Sequence, residues 1–97
     1  MMTRRAQFRL RLYVAGSAQN STLALANLTA LCRKYLADRH EIEIVDVFRH
    51  PKRALADGIF LTPTLIKLSP LPARRIVGTL TQTQTVMQAL GLDDSAA

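Results

Sequence analysis

The stretch LTPTLIKL, Leu61–Leu68, decides how this chain is read. Its Thr62-Pro63-Thr64 cannot continue a helix, because proline fixes its own φ and pushes the residue before it out of the α region. Residues 64–69 then form an apolar run of strand length. A second such run, 75–80, follows the connection PLPAR (70–74), whose two prolines suit a short link between antiparallel strands. The second half of the chain therefore reads as a proline turn feeding a pair of strands.

Upstream, QFRLRLYVA (7–15) alternates strictly, with Phe8, Leu10, Leu12 and Val14 on one side and Gln7, Arg9, Arg11 and Tyr13 on the other. Period two over eight residues predicts a half-covered strand, ended by Gly16. Ser21 is read as the N-cap of a helix running to about Leu36. Its apolar positions Leu25, Leu28, Leu31, Cys32, Tyr35 and Leu36 recur at three and four. Residues 41–48, EIEIVDVF, are apolar on both faces after Glu43, the pattern of a central strand. Strand, helix and strand make a βαβ unit with parallel strands. Pro51 opens a short helix over 51–57 with Gly58 as its stop. Downstream, Thr81 is read as the cap of a last helix carrying Val86, Met87 and Leu90 and closed by Gly91. The order β-α-β-(α)-β-β-α resembles a thioredoxin-like plan: one α/β domain over 1–97, with an ordered core at 7–91 and flexible ends at 1–6 and 92–97.

At 48% apolar and 21% charged residues the composition is that of a globular domain. One cysteine allows no intrachain disulfide and no cysteine-rich zinc site, and no run approaches the roughly 18 apolar residues of a membrane span. A cytoplasmic protein is expected, with no membrane partner. The net charge of +6 is spread over Arg4, Arg5, Arg9 and Arg11, over Arg49, Lys52 and Arg53, and over Arg74 and Arg75. No basic run exceeds two residues and no aromatic side chain is interleaved to stack on bases. The pattern fits a solvated surface or an acidic protein partner, and not a specific nucleic acid.

A redox domain of this plan needs its dithiol where the first helix starts, since free N–H groups and the helix dipole there depress a thiol pKa. This chain has Ser17-Ala18-Gln19-Asn20 instead, and Cys32 lies about three turns further on, in the apolar stripe. A buried, inert thiol is expected there. His40 and His50 are read as surface residues, not as a metal pair, and Asp46 as a hydrogen-bonded carboxylate without a partner acid. With neither a P-loop nor a glycine-rich phosphate motif, the residues point to a non-catalytic binding domain with no cofactor and no metal.

Taken together, LYVAG (12–16), NS (20–21), IVDV (44–47), Pro51, Asp57, TPTL (62–65), Lys67, Pro70, Pro72 and RRIVG (74–78) resemble the KaiB family, without gaps from about Phe8 to Leu80. The resemblance implies a regulator that binds the N-terminal ATPase ring of a KaiC-like hexamer in a circadian, hourglass or stress-response timer and, where a KaiA activator exists, captures it. It implies a metamorphic protein, with a thioredoxin-like monomer that binds KaiC and a second fold that forms dimers or tetramers (βαββααβ). Carried over residue by residue, the KaiC-facing set is Pro51, Lys52, Leu55 and Asp57 with Lys67, Arg74 and Arg75. Leu55 reads equally well as a core residue, and Arg74 and Arg75 as a solvated pair. Pro63, Pro70 and Pro72 lie in the half that would refold. Ala89 and Gly91 replace a glycine and an aspartate of the family pattern, which predicts a bias toward the thioredoxin-like state. Leu23 and Glu43 replace a family arginine and lysine, against KaiA capture. The alternatives are a KaiB-like sensory module of a clock-output histidine kinase and, more remotely, a thiol-based antioxidant.

Overall fold

The computed structural model describes residues 7–92. In chain order the elements are β1 (Phe8–Val14), α1 (Gln19–Tyr35), β2 (His40–Asp46), α2 (Pro51–Ala56), β3 (Thr64–Ser69), β4 (Arg74–Val77) and α3 (Thr83–Leu90). The four strands form one sheet in the order β2-β1-β3-β4. β1 runs parallel to β2, Phe8 opposite His40 through Val14 opposite Asp46, and antiparallel to β3. β3 and β4 are antiparallel, Thr64 opposite Val77 and Lys67 opposite Arg74.

The two faces of the sheet are covered unequally. Phe8, Leu10, Leu12 and Val14 of β1 and Leu65 of β3 pack with Leu28, Leu31 and Cys32 of α1 and Val86 and Leu90 of α3, forming the main core. On the opposite face Tyr13, Val45, Ala54 and Ile66 make a smaller cluster under α2. β1 is thus more than half-covered: Tyr13, placed on its polar side by alternation, is fully buried. β2 differs from the expected central strand. It pairs with β1 alone and forms a sheet edge, which leaves Ile44 43% exposed. β3 takes the central place instead, with four consecutive buried residues from Thr64.

Several local expectations shift by a few residues. Helix α1 begins at Gln19, not beyond Ser21, and Ser21 Oγ instead accepts the Ala15 N–H at 3.0 Å, tying the helix back to the end of β1. Leu25 is on the exposed side of α1, whereas Ala24 and Leu28 take the core positions. β4 stops at Val77, before the expected Leu80. There Gly78, at φ +121°, donates its N–H to the Pro63 carbonyl at 3.0 Å, and Leu80, at φ +65°, turns into the core. Asn27 Nδ2 donates to the Thr79 carbonyl at 2.8 Å and pins this turn to α1. Gln82, not Thr81, precedes α3. At its other end Gly91 sits at φ +80°, with Gly91 and Leu92 N–H groups donating to the Gln88 and Met87 carbonyls at 3.1 and 2.8 Å. That is a Schellman closure, for which the left-handed glycine is the suited residue. Leu92, expected in the flexible tail, packs against the core; the rest of that tail and residues 1–6 lie outside the described residues.

Cys32 is fully buried, and burial pushes its thiol up to about 11. At pH 8 only about one thiol in a thousand is then ionised, and the thiolate is the reactive form. We expect a native chain treated with a disulfide reagent at pH 8 to react at least a hundredfold more slowly than the urea-unfolded chain. Equal rates would show that the thiol is accessible.

Candidate functional site

The α2 side of the sheet is the candidate site. Pro51 stands at the first turn of α2, where its missing N–H costs nothing, and Asp57 and Gly58 (φ +65°) close the helix. Six residues are too few for a helix to persist on its own, so side chains must hold it. Ala54 is its one buried residue. Leu55 is 76% exposed, which excludes core packing for it.

The turn after α2 carries the feature that the residue pattern concealed. Phe60 is 90% exposed, and Leu61 and Val77 lie beside it on the surface. Together with Arg75 they line a shallow groove of about 130 Å³. Further along, the exposed Phe48 ring lies over Gly16, 3.5 Å from where a Cβ would stand. Arg49, next to Phe48 in the chain, and Lys52 of α2 are both exposed. A signal existed in GIFLTP (58–63): Ile59, Phe60 and Leu61 form an apolar triple in a segment that is neither helix nor strand. Only Ile59 of the three turns partly inward.

The carried-over residues divide between the two faces. Pro51, Lys52, Leu55 and Asp57 cluster at α2, joined by Arg75, whose guanidinium donates to the Asp57 carbonyl and, at 3.4 Å, to that of Gly58. The Asp57 carboxylate points inward, accepting the Tyr13 hydroxyl at 2.6 Å and Arg11 Nη1 at 3.0 Å. These bonds, the Tyr13 hydroxyl foremost, hold Asp57 below the usual carboxylate range. Lys67 and Arg74 are elsewhere. Alternation along β3 places Lys67 with Leu65 on the main-core face, buried beside the end of α3 with its Nζ 3.9 Å from the Cβ position at Gly91. Desolvation, and to a lesser extent Arg74, pull its pKa down. Of the fold-switch set, Pro63 lies in the turn before β3, Pro70 and Pro72 in the β3–β4 link, and Ala89 and Gly91 at the end of α3.

Glu43 Oε1 accepts Arg11 Nε at 2.8 Å while its Oε2 pairs with Arg53 Nη2 at 2.8 Å, so its pKa is lowered, first by Arg11 and then by Arg53. Asp46 Oδ1 accepts the Gly16 and Phe48 N–H groups at 3.1 and 2.9 Å, a structural role at the end of β2. His50 is exposed, whereas His40 is half-buried and donates from Nδ1 to the Leu36 carbonyl at 2.7 Å. Among the described residues no group of three or more His, Cys, Asp or Glu could hold a metal ion, and no helix is long and apolar enough to cross a membrane. The arrangement offers an apolar patch of Phe60, Leu61 and Val77 with the Arg75 guanidinium at its side.

A family model described as the KaiB domain matches residues 11–92. The chain belongs to the KaiB family. It is 44% identical over 84 residues to the circadian clock protein KaiB3 of Synechocystis sp., covering 87% of this chain and 80% of that protein. It is 39% identical over 92 residues to the circadian clock oscillator protein KaiB of Synechococcus elongatus, covering 95% and 88%. Among solved structures, this KaiB-family chain shares its fold with the N-terminal domain of Synechococcus elongatus SasA, at a TM-score of 0.73 and 16% identity over 98% of this chain and 93% of that one. Chloroplastic thioredoxin z superposes at a TM-score of 0.74 and 17% identity, over 94% and 96%. The fold is therefore thioredoxin-like, and the relatives by sequence are clock proteins.

Proposed function

We propose that this chain is a non-catalytic, cytoplasmic regulator of a circadian or related timing system, acting as a single domain that binds the N-terminal ATPase ring of a KaiC-like hexamer. The observation that carries this reading is the exposed patch of Phe60, Leu61 and Val77 beside Arg75, with Leu55 of the preceding helix α2 also left in water. A small chain that leaves large apolar side chains in water beside an arginine offers the makings of a protein interface, an apolar core with a polar edge. Membership of a family of clock proteins supports a partner within a timing system.

In this reading the thioredoxin-like form is the binding-competent monomer. A second, dimeric or tetrameric fold is reached by rearranging the half that contains Pro63, Pro70, Pro72, Ala89 and Gly91, and two such states coexist if a few kcal/mol separate them. Arg74, exposed on the other face, serves a contact separate from the α2 patch, whereas Lys67, expected to face a partner, is buried in the fold and has no surface to offer one. KaiA capture is secondary, and the role of a histidine-kinase sensory module draws its support from the shared fold alone.

The test is to mix the chain with a KaiC-like hexamer, phosphorylated and unphosphorylated, and follow assembly by native mass spectrometry over hours. Up to six copies per ring are expected. No complex with either form would overturn the proposal.

A further inference from the structure

Helix α2 is held on the sheet mostly by polar contacts, and these converge on two carboxylates. Ala54 is the only α2 residue in the small apolar cluster, and Leu55 contributes nothing to it. Glu43, on the edge strand β2, uses one oxygen for Arg11 of β1 and the other for Arg53 of α2. Asp57, just past α2, takes both Tyr13 and Arg11 of β1 on Oδ2. Arg11 is the shared member, with Nε on Glu43 and Nη1 on Asp57. Arg75 of β4 closes the far side through the Asp57 and Gly58 carbonyls.

We propose that these contacts work as one latch: the charges of Glu43 and Asp57, bridged by Arg11, set how often residues 51–61 leave the sheet. That segment carries Leu55, Phe60 and Leu61, so the latch would govern presentation of the docking surface. In that respect the inference rests on the function proposed above, but opening itself is measured with no partner present.

Isolated surface ion pairs contribute little to stability, because water and salt screen them. Here the inner half of the network is shielded: the Arg11 and Asp57 side chains are only 22% and 28% exposed. Charge-assisted bonds in such a site are stronger than exposed ones. Members of a connected network also lose strength together. The outer half, Glu43 with Arg53, is more open, at 44% and 41%. It acts chiefly by keeping Arg11 aimed at Asp57.

The latch has a pH window. Both carboxylates are held below their ordinary range, so their contribution is complete above about pH 4–4.5 and is lost as pH falls through the depressed values. Tyr13 is shifted upward, first by burial and then by Asp57, so its proton stays beyond the ordinary phenol range and is lost only as pH rises further. The other charged groups facing the network are Arg9 and Glu41 on the next row of β1 and β2, Arg53 and Lys52 of α2, and Arg75 of β4.

Native-state hydrogen exchange on the full chain tests this. The probes are the amides of Asp57, Gly58 and Ile59, which bond to the Arg53, Leu55 and Ala54 carbonyls, read against those of α1 around Leu28–Cys32. Glu43→Gln and Asp57→Asn should each speed exchange of the α2 amides about tenfold or more at pH 7 and leave α1 unchanged. The double variant should differ from the product of the single effects, since both act through Arg11. In the unmodified chain α2 protection should fall before that of α1 as pH drops from 7 to 3. Two results would overturn the latch: α2 amides exchanging at the parent rate in both variants, or exchange rising equally in α1 and α2.

Discussion

The pair of substitutions Leu55→Glu and Phe60→Glu is expected to weaken binding to a KaiC-like ring by at least a hundredfold. Each side chain stands in water in the free chain, at 76% and 90% exposure, so each has nearly all of its apolar surface left to bury on docking. Full burial of a leucine or phenylalanine is worth about 1.5–3 kcal/mol, and a hundredfold change in affinity is about 2.7 kcal/mol. Two losses of that size exceed the requirement even after the cost of association. The same substitutions should move the free chain's stability by about 0.5 kcal/mol or less, since no buried contact is removed. Titration of the ring by fluorescence anisotropy, paired with urea unfolding, separates the two effects. Unchanged affinity would place the interface elsewhere on the domain.

The second large effect belongs to the core. Leu28→Ala is expected to cost about 3–5 kcal/mol, through lost transfer energy and the cavity left behind. Leu28 is fully buried between α1 and the sheet. A domain of this size has roughly 5–15 kcal/mol in all, so the loss should lower Tm by tens of degrees, at about 4–8 °C per kcal/mol. Leu25→Ala provides the control. It lies on the same helix one turn earlier, but at 36% exposure it should cost less than about 1 kcal/mol. Calorimetry on both variants checks the orientation of α1; equal losses would mean that the helix is rotated from the face described.

The two predictions also separate what was legible before folding from what was not. The alternation at 8–14 and the three-and-four spacing of α1 are local signals, because strand and helix periods act within one element. They led directly to β1 and to Leu28, Leu31 and Cys32 in the core. Pro51 and Gly58 marked the ends of α2, and Gly91 the end of α3, since backbone restrictions at those residues do not depend on distant partners. With the Thr-Pro turn and the hairpin they determined the element order, and hence a thioredoxin-like domain.

What pairs with what across the sheet was not in the local pattern. β2 reads as central because its residues after Glu43 are apolar on both faces, but an edge position depends on whether another strand arrives, and among the described residues none pairs with its outer side. Tyr13 sits on the polar side of β1, and only α2 folding over that face buries it and turns Asp57 onto its hydroxyl. Arg11, Glu43 and Asp57 are 32 and 46 residues apart in the pairs they form, beyond the reach of any period. Leu55 could face either way on so short a helix, and Phe60 shows as surface only once Ile59 has taken the inward position. The residues themselves determined the strands, the helices and the family. Tertiary structure alone decided which charges are consumed inside the fold and which apolar side chains remain for a partner, because burial belongs to the assembled sheet and not to any single segment.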